Sequence, residues 1–246
     1  MRGLKQFAWT EFKLNLRDPL LVFWSLAFPT LWLLLMVIIV PAIPGFVREG
    51  LSKASSYLPS AISLVILSAS FIGVPMTLTN YRETAVLKRF RVTPVKILTL
   101  VSSFSISQFA FVAMGIIILL VIGMLFFNVH ILGSWLAFVG VTFFGMLTFL
   151  AIGSAIGSIA RSFRTANIII WTAFTPMLII SDLFMPIALL PTWLQPIARS
   201  LPLTALNTVL KDIVYGVPVG DLWRLGVLAG WLVVAIFITV RFFRWE

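Results

Sequence analysis

Six apolar runs, each long enough to cross a bilayer as a helix, constrain this chain more than any other feature. The first, Leu20 to Val40, would measure about 31 Å at 1.5 Å per residue, close to the hydrocarbon thickness of a membrane. The others fall near Ser56 to Thr79, Ile97 to Phe127, Leu132 to Ala160, Ala166 to Phe184 and Leu222 to Phe243. Hydrocarbon offers a backbone no hydrogen-bond partner, so runs of this length read as helices whose bonds close internally. The expected fold class is an all-α polytopic membrane protein with six transmembrane helices in a single domain over residues 1–246. Only 11% of residues are charged and the mean hydropathy is +1.10, against about a quarter charged in soluble domains. Little length remains for a soluble domain.

The net charge of +10 has nucleic acid as one explanation, but the basic residues lie beside the apolar runs and not on a separate domain. Orientation in a membrane explains them, and no nucleic-acid partner is expected. Arg2, Lys5, Lys13 and Arg17 precede the first span, the stretch from Arg82 to Lys96 follows the second, Arg161 and Arg164 follow the fourth, and Arg241 and Arg244 end the sixth. The opposite side holds only Arg48, Lys53, Arg199, Lys211 and Arg224. Excess Lys and Arg mark the cytoplasmic side. Both termini are therefore expected in the cytoplasm and the chain in the plasma membrane, in contact with lipid. The chain has no cysteine, hence no disulfide and no thiolate chemistry.

Residues 1–18 read as an interfacial helix. At 100° per residue Arg2, Gln6, Thr10, Lys13 and Arg17 share one arc, with Leu4, Phe7, Phe12, Leu14 and Leu16 around the rest; Lys5, Glu11 and Asn15 break the pattern. Asp18 has the chemistry of an N-cap and Pro19 that of a first helical position. Near the other end, Pro186, Pro191, Pro196 and Pro202 divide residues 186–215 into apolar pieces too short to cross. They read as two short outward-side helices that re-enter the membrane edge, where irregular backbone must be covered by protein or water.

The most polar stretch, Arg82 to Pro94 (RETAVLKRFRVTP), must lie in water. As a helix it aligns Glu83, Leu87 and Phe90/Arg91 along one side, and Pro94 ends it. A solvated loop and a partner-docking helix both fit. Catalytic chemistry is not indicated. The only histidine, His130, lies in a turn, which excludes a bis-histidine haem and an HExxH site. There is no GxxxxGK[ST], so ATP energy would have to come from another subunit. Acids are absent from the middle of the spans, where coupled carriers place them.

The spans do hold rows of weak polarity. Ser56, Ser63, Ser70 and Thr77 repeat every seven residues in the second, drifting about 20° per heptad; Asn167, Trp171, Thr175 and Asp182 share a face of the fifth; Gly145, Gly153, Gly157 and Arg161 align in the fourth. Small and hydroxyl residues permit close helix packing. The alternative is that Ser63, Ser70, Thr77, Asn167, Trp171, Thr175 and Asp182 line a pathway for an amphipathic substrate.

The run Tyr81 to Pro94 resembles the cytoplasmic signature of ABC exporter permeases of the type-two, daunorubicin-resistance kind. Arg17-Asp18-Pro19, the run GSAIGSIARSFRT from Gly153 to Thr165, and Phe184-Met-Pro186 on through Leu190-Pro-Thr-Trp193 to Leu201-Pro-Leu-Thr204 match it in the same order. The resemblance implies a non-catalytic permease subunit coupled to a separate ABC ATPase. Residues 81–95 would be the coupling helix, with Glu83, Leu87, Lys88, Arg89, Phe90 and Arg91 docking into the ATPase. Residues 1–18 would be the connecting helix and 186–215 the re-entrant helices. A second permease copy or a similar permease would complete the pathway. No cofactor is expected in this chain; ATP and Mg would be bound by the partner. Two positions depart from the pattern: Ala85 and Asp182 stand where glycine is usual. Asp182, at the outer end of the fifth span, would either favour a cationic substrate or simply be solvated there, and the second reading is preferred. The rival readings are an ATP-independent carrier or channel, and a scaffold that gathers proteins through its GxxxG face.

Overall fold

The computed structural model describes residues 2–40, 51–84, 97–184, 186–218 and 222–242, and among these the fold is all helix. A first helix, α1 (Arg2–Arg17), precedes α2 (Pro19–Ile38), α3 (Lys53–Glu83), α4 (Ile97–Phe127), α5 (Trp135–Ile159) and α6 (Phe163–Ile180). Two short helices, α7 (Gln195–Ser200) and α8 (Pro202–Val214), then lead to α9 (Leu222–Phe242). The six helices α2 to α6 and α9 are long and apolar enough to cross a membrane, which makes this a polytopic membrane fold. The two short helices expected within 186–215 are present as α7 and α8.

Helix α3 is the core of the bundle. Of its apolar window 89% is buried, against 11% for α9, because α2, α4, α5 and α8 all pack on it. It is longer than the sequence pattern indicates at both ends. Ser52 caps it, its Oγ accepting from the Ser55 amide at 3.1 Å, and Tyr81, Arg82 and Glu83 form its last turn. Those three residues, expected to begin a separate coupling helix, instead continue the second span. Residues 85–95 of that expected helix lie outside the described residues, as does the Pro41 to Gly45 stop after α2.

The glycines of the fourth span show why α3 can be enclosed. A Cβ on Gly153 would collide with the Ser70 carbonyl, one on Gly157 would lie 2.8 Å from a Leu78 methyl, and one on Gly145 2.6 Å from Leu206. The stripe therefore seats α5 against α3 and α8 inside the chain. It is occupied internally and is not a free face for gathering other proteins.

Both α2 and α3 carry a wide turn just before a proline, over Phe23–Ala27 and Ala69–Gly73. Pro29 and Pro75 have no N–H, and each ring crowds the carbonyl four residues back, at Ser25 and Phe71. The ladder relaxes by shifting register, with the Phe28 amide reaching the Phe23 carbonyl.

At the far end from the termini, Asn128 (φ 47°) closes α4 in the left-handed region, and the Val129 amide returns to the Gly123 carbonyl at 3.1 Å. The next residues rest on α8: the amides of Leu132 and Gly133 donate to the carbonyls of Val214 and Ile213. These bonds satisfy carbonyls that the C-terminus of α8 leaves open.

Candidate functional site

The N-terminal helix is set by residues that break its amphipathic pattern. Asn15 is buried, donating to Ser107 Oγ at 3.3 Å and accepting from Gln108 Nε2 at 3.4 Å, and Phe12 meets Phe111 edge-on. Glu11 accepts the Tyr81 hydroxyl at 2.5–2.6 Å, which joins α1 to the last turn of α3. Burial pushes the Glu11 carboxyl above the ordinary carboxylate range, and the Tyr81 hydrogen bond offsets part of that rise. The two residues that follow α1 are Asp18 and Pro19, and both act as their types indicate. Asp18 Oδ1 accepts from the amides of Leu20 and Leu21 at 3.0 and 3.2 Å, with Pro19 opening α2.

The end of α3 holds the turn between α5 and α6 by charge. Arg82 donates to the carbonyls of Ala160 (2.5 Å) and Gly157 (3.4 Å), where α5 ends. Glu83 accepts from the Phe163 amide at 2.8 Å, where α6 begins, beside the Ser162 N-cap. A cation sits on the carbonyl end of one helix and an anion on the amide end of the next, each opposite the favourable pole of the helix dipole. Residues 81–83 thus contact α1, α5 and α6 together. Glu83 was expected to face a partner, and here its carboxylate is engaged within the chain. Leu87, Lys88, Arg89, Phe90 and Arg91 lie outside the described residues.

The expected pathway residues occupy four environments, of which Asp182 has one to itself. Ser63 and Ser70 are fully buried in the bundle, their hydroxyls without a hydrogen-bond partner among the described residues. Thr77 bonds back to the Gly73 carbonyl and lines a cavity beside α1. Asn167 donates to the Phe163 carbonyl, Thr175 is exposed, and Trp171 stacks edge-on against Trp24 at 5.3 Å. Trp24 also meets Phe28 and Phe174, so an aromatic cluster joins α2 to α6. Sequence reasoning missed Trp24 and Phe28, because nothing in the first span sets these aromatics apart until α6 lies beside them.

Asp182 is not solvated as expected. Its carboxylate pairs with Lys211 Nζ at 2.6 Å, and its carbonyl accepts from Lys211 and from Asn207 Nδ2. Asn207 Oδ1 accepts in turn from Ser60 Oγ at 3.1 Å. This chain of bonds ties the end of α6 to α8 and α3, and Arg224 with Asp212 ties α9 to α8. Lys211, which the sequence indicates only as one outward basic residue, is the buried centre of that end.

No significant match to an individual curated protein is found. The family model for the ABC-2 type transporter matches residues 2–215, most of the chain and every element from α1 to α8. With six helices apolar enough to cross a membrane and this family match over most of its length, the chain is the multi-pass permease component of an ABC transporter and belongs to the ABC-2 type transporter family.

Proposed function

We propose that this permease is the membrane half of an ATP-driven exporter, paired with a second copy or a similar permease and driven by separate ATPase subunits that bind ATP and Mg. The observation that carries this reading is the grip of Arg82 and Glu83 on the α5–α6 turn. Leu87, Lys88, Arg89, Phe90 and Arg91 dock into the ATPase on the cytoplasmic side of the plasma membrane. Force applied there passes through Glu83 to α6, through Arg82 to α5 and through Tyr81 to α1, shifting the balance between inward- and outward-open forms. The substrate is amphipathic, drug-like or lipid-like. It follows the aromatic and hydroxyl face of Asn167, Trp171 and Thr175, with Trp24 beside them, while Ser63 and Ser70 serve packing. At the outward end the Asp182–Lys211 pair closes the path beneath α7 and α8.

The test has two variants. Leu87→Asp leaves membrane insertion intact and releases a co-purifying ATPase. Arg82→Gln with Glu83→Gln keeps the ATPase bound but lowers transport per ATP hydrolysed by about tenfold, a coupling loss of ordinary size. Transport that survives ATP depletion with no ATPase bound returns the chain to an ATP-independent carrier or channel.

A further inference from the structure

The outward face of α1 is cationic because the one acid of this helix is turned inward. Glu11 accepts the Tyr81 hydroxyl, Asn15 bonds to Ser107 and Gln108, and Phe12 meets Phe111. Three contacts along one side fix the rotation of the helix about its own axis. Lys5, Trp9, Lys13 and Arg17 recur every four residues and are all left exposed. Among the described residues none of these three cations pairs with a carboxylate.

The same contacts set the depth of the helix. Ser107, Gln108 and Phe111 lie in the first turns of the apolar span that begins at Phe104, and α1 leads through Asp18 directly into α2. Arg17, two residues past Asn15, therefore stands where apolar helix gives way to polar surface, the level of lipid headgroups. Exposed apolar side chains border the cations there: Trp9 is 58%, Leu14 49% and Leu20 44% accessible. Trp9 stacks on Phe12 at 5.8 Å, and Lys13 Nζ lies 5.3 Å above the Trp9 ring. Cations interleaved with exposed hydrocarbon fit the boundary between headgroup and acyl chain. A zwitterionic headgroup brings its own ammonium beside the phosphate, whereas an anionic one brings only the charge this face lacks.

We propose that this face of α1 docks on anionic phospholipid in the leaflet nearest the N-terminus, with Lys13 and Arg17 on the phosphates and Trp9, Leu14 and Leu20 against the upper acyl chains. The surface is independent of ATP coupling, since lipid binding is read on the permease without an ATPase.

The full chain, purified in an uncharged detergent at low salt, is incubated with equal phosphatidylglycerol and phosphatidylcholine of the same chain length, and bound lipids are counted by native mass spectrometry. Phosphatidylglycerol is retained about tenfold over phosphatidylcholine, and Lys13→Gln with Arg17→Gln removes that preference. Both side chains are exposed, so the double variant keeps the fold, which an unchanged thermal midpoint without lipid verifies. Arg241→Gln, an exposed cation at the end of α9, leaves the preference in place. Equal retention of the two lipids by the wild type, or a loss with Arg241→Gln as large as with the double variant, overturns the proposal. So does a double variant that keeps the preference and instead releases a co-purifying ATPase, which assigns the face to that subunit.

Discussion

Glu11 and Asn15 spoil the helical wheel of α1, and both are the residues by which α1 is held. Each points into the protein, one to Tyr81 and one to Ser107 and Gln108. For Glu11 the consequence is a pH dependence. Its carboxyl is raised by burial, so the folded state favours the neutral acid. That contribution is fully present below the usual glutamate range and is lost as pH rises through the raised value. Glu11→Gln is therefore expected to be at least as stable as the wild type at neutral pH, with the difference vanishing in acid. Thermal midpoints in detergent from pH 4 to 8 check this, and a constant difference across the range would falsify the burial argument. Asp182 and Lys211 make the opposite case, a close pair with little solvent. Removing one partner strands a charge, so Asp182→Asn is expected to cost about 3–5 kcal/mol while Asp182→Asn with Lys211→Met costs much less. A double-mutant cycle on folded yield and thermal midpoint measures the difference.

Among the elements, α3 depends most on its neighbours' small residues. Its contact with α5 is close because Gly153 has no side chain above the Ser70 carbonyl. Gly153→Val is expected to force the helices apart, at about 1–3 kcal/mol for an overpacked interior. Gly140→Val, with open space around its Cβ position, leaves the midpoint unchanged. Equal effects of the two on thermal stability contradict this packing. The close packing expected of this stripe is found within the chain, although a GxxxG stripe looks alike in sequence whether its partner is in the same chain or another. The element ends are a further case. Arg82 and Glu83 look like the start of a soluble segment, since charge signals water, yet both find backbone groups at the ends of neighbouring helices.

For the whole molecule, the exposed apolar surface is divided between two kinds of face. Helix α9 shows the solvent side only hydrocarbon and rings at Val233, Phe237 and Val240, as contact with lipid requires. Helix α6 is also largely uncovered, with 22% of its apolar window buried, but it exposes Thr175 and lies against the Trp24 cluster. If a second permease covers α6, single cysteines report it cleanly, because the chain has none of its own. Thr175→Cys is expected to form a disulfide-linked dimer on oxidation in the membrane and Val233→Cys is not. The reverse pattern on a non-reducing gel rejects a pathway at the α6 face.

Apolar length and charge placement determine, without any structure, that this chain crosses the membrane six times, and local chemistry determines where several helices begin. Asp18-Pro19 caps α2 as its residue types require, since a cap needs only the next few residues of backbone. The spans were legible for the same reason: a helix in hydrocarbon satisfies its own backbone and needs no distant partner. What depends on residues far apart in the chain had no such signal. Only the packing decided that α3 is the enclosed helix, that Ser63 and Ser70 are interior, and that Asp182 meets Lys211 29 positions away. Only the packing, too, brought Glu11 to Tyr81 across 70 residues and Arg82 to Ala160 across 78. The physical reason is that each of these side chains has a local pattern compatible with water, lipid or protein, and the neighbour that selects among the three is supplied by another helix.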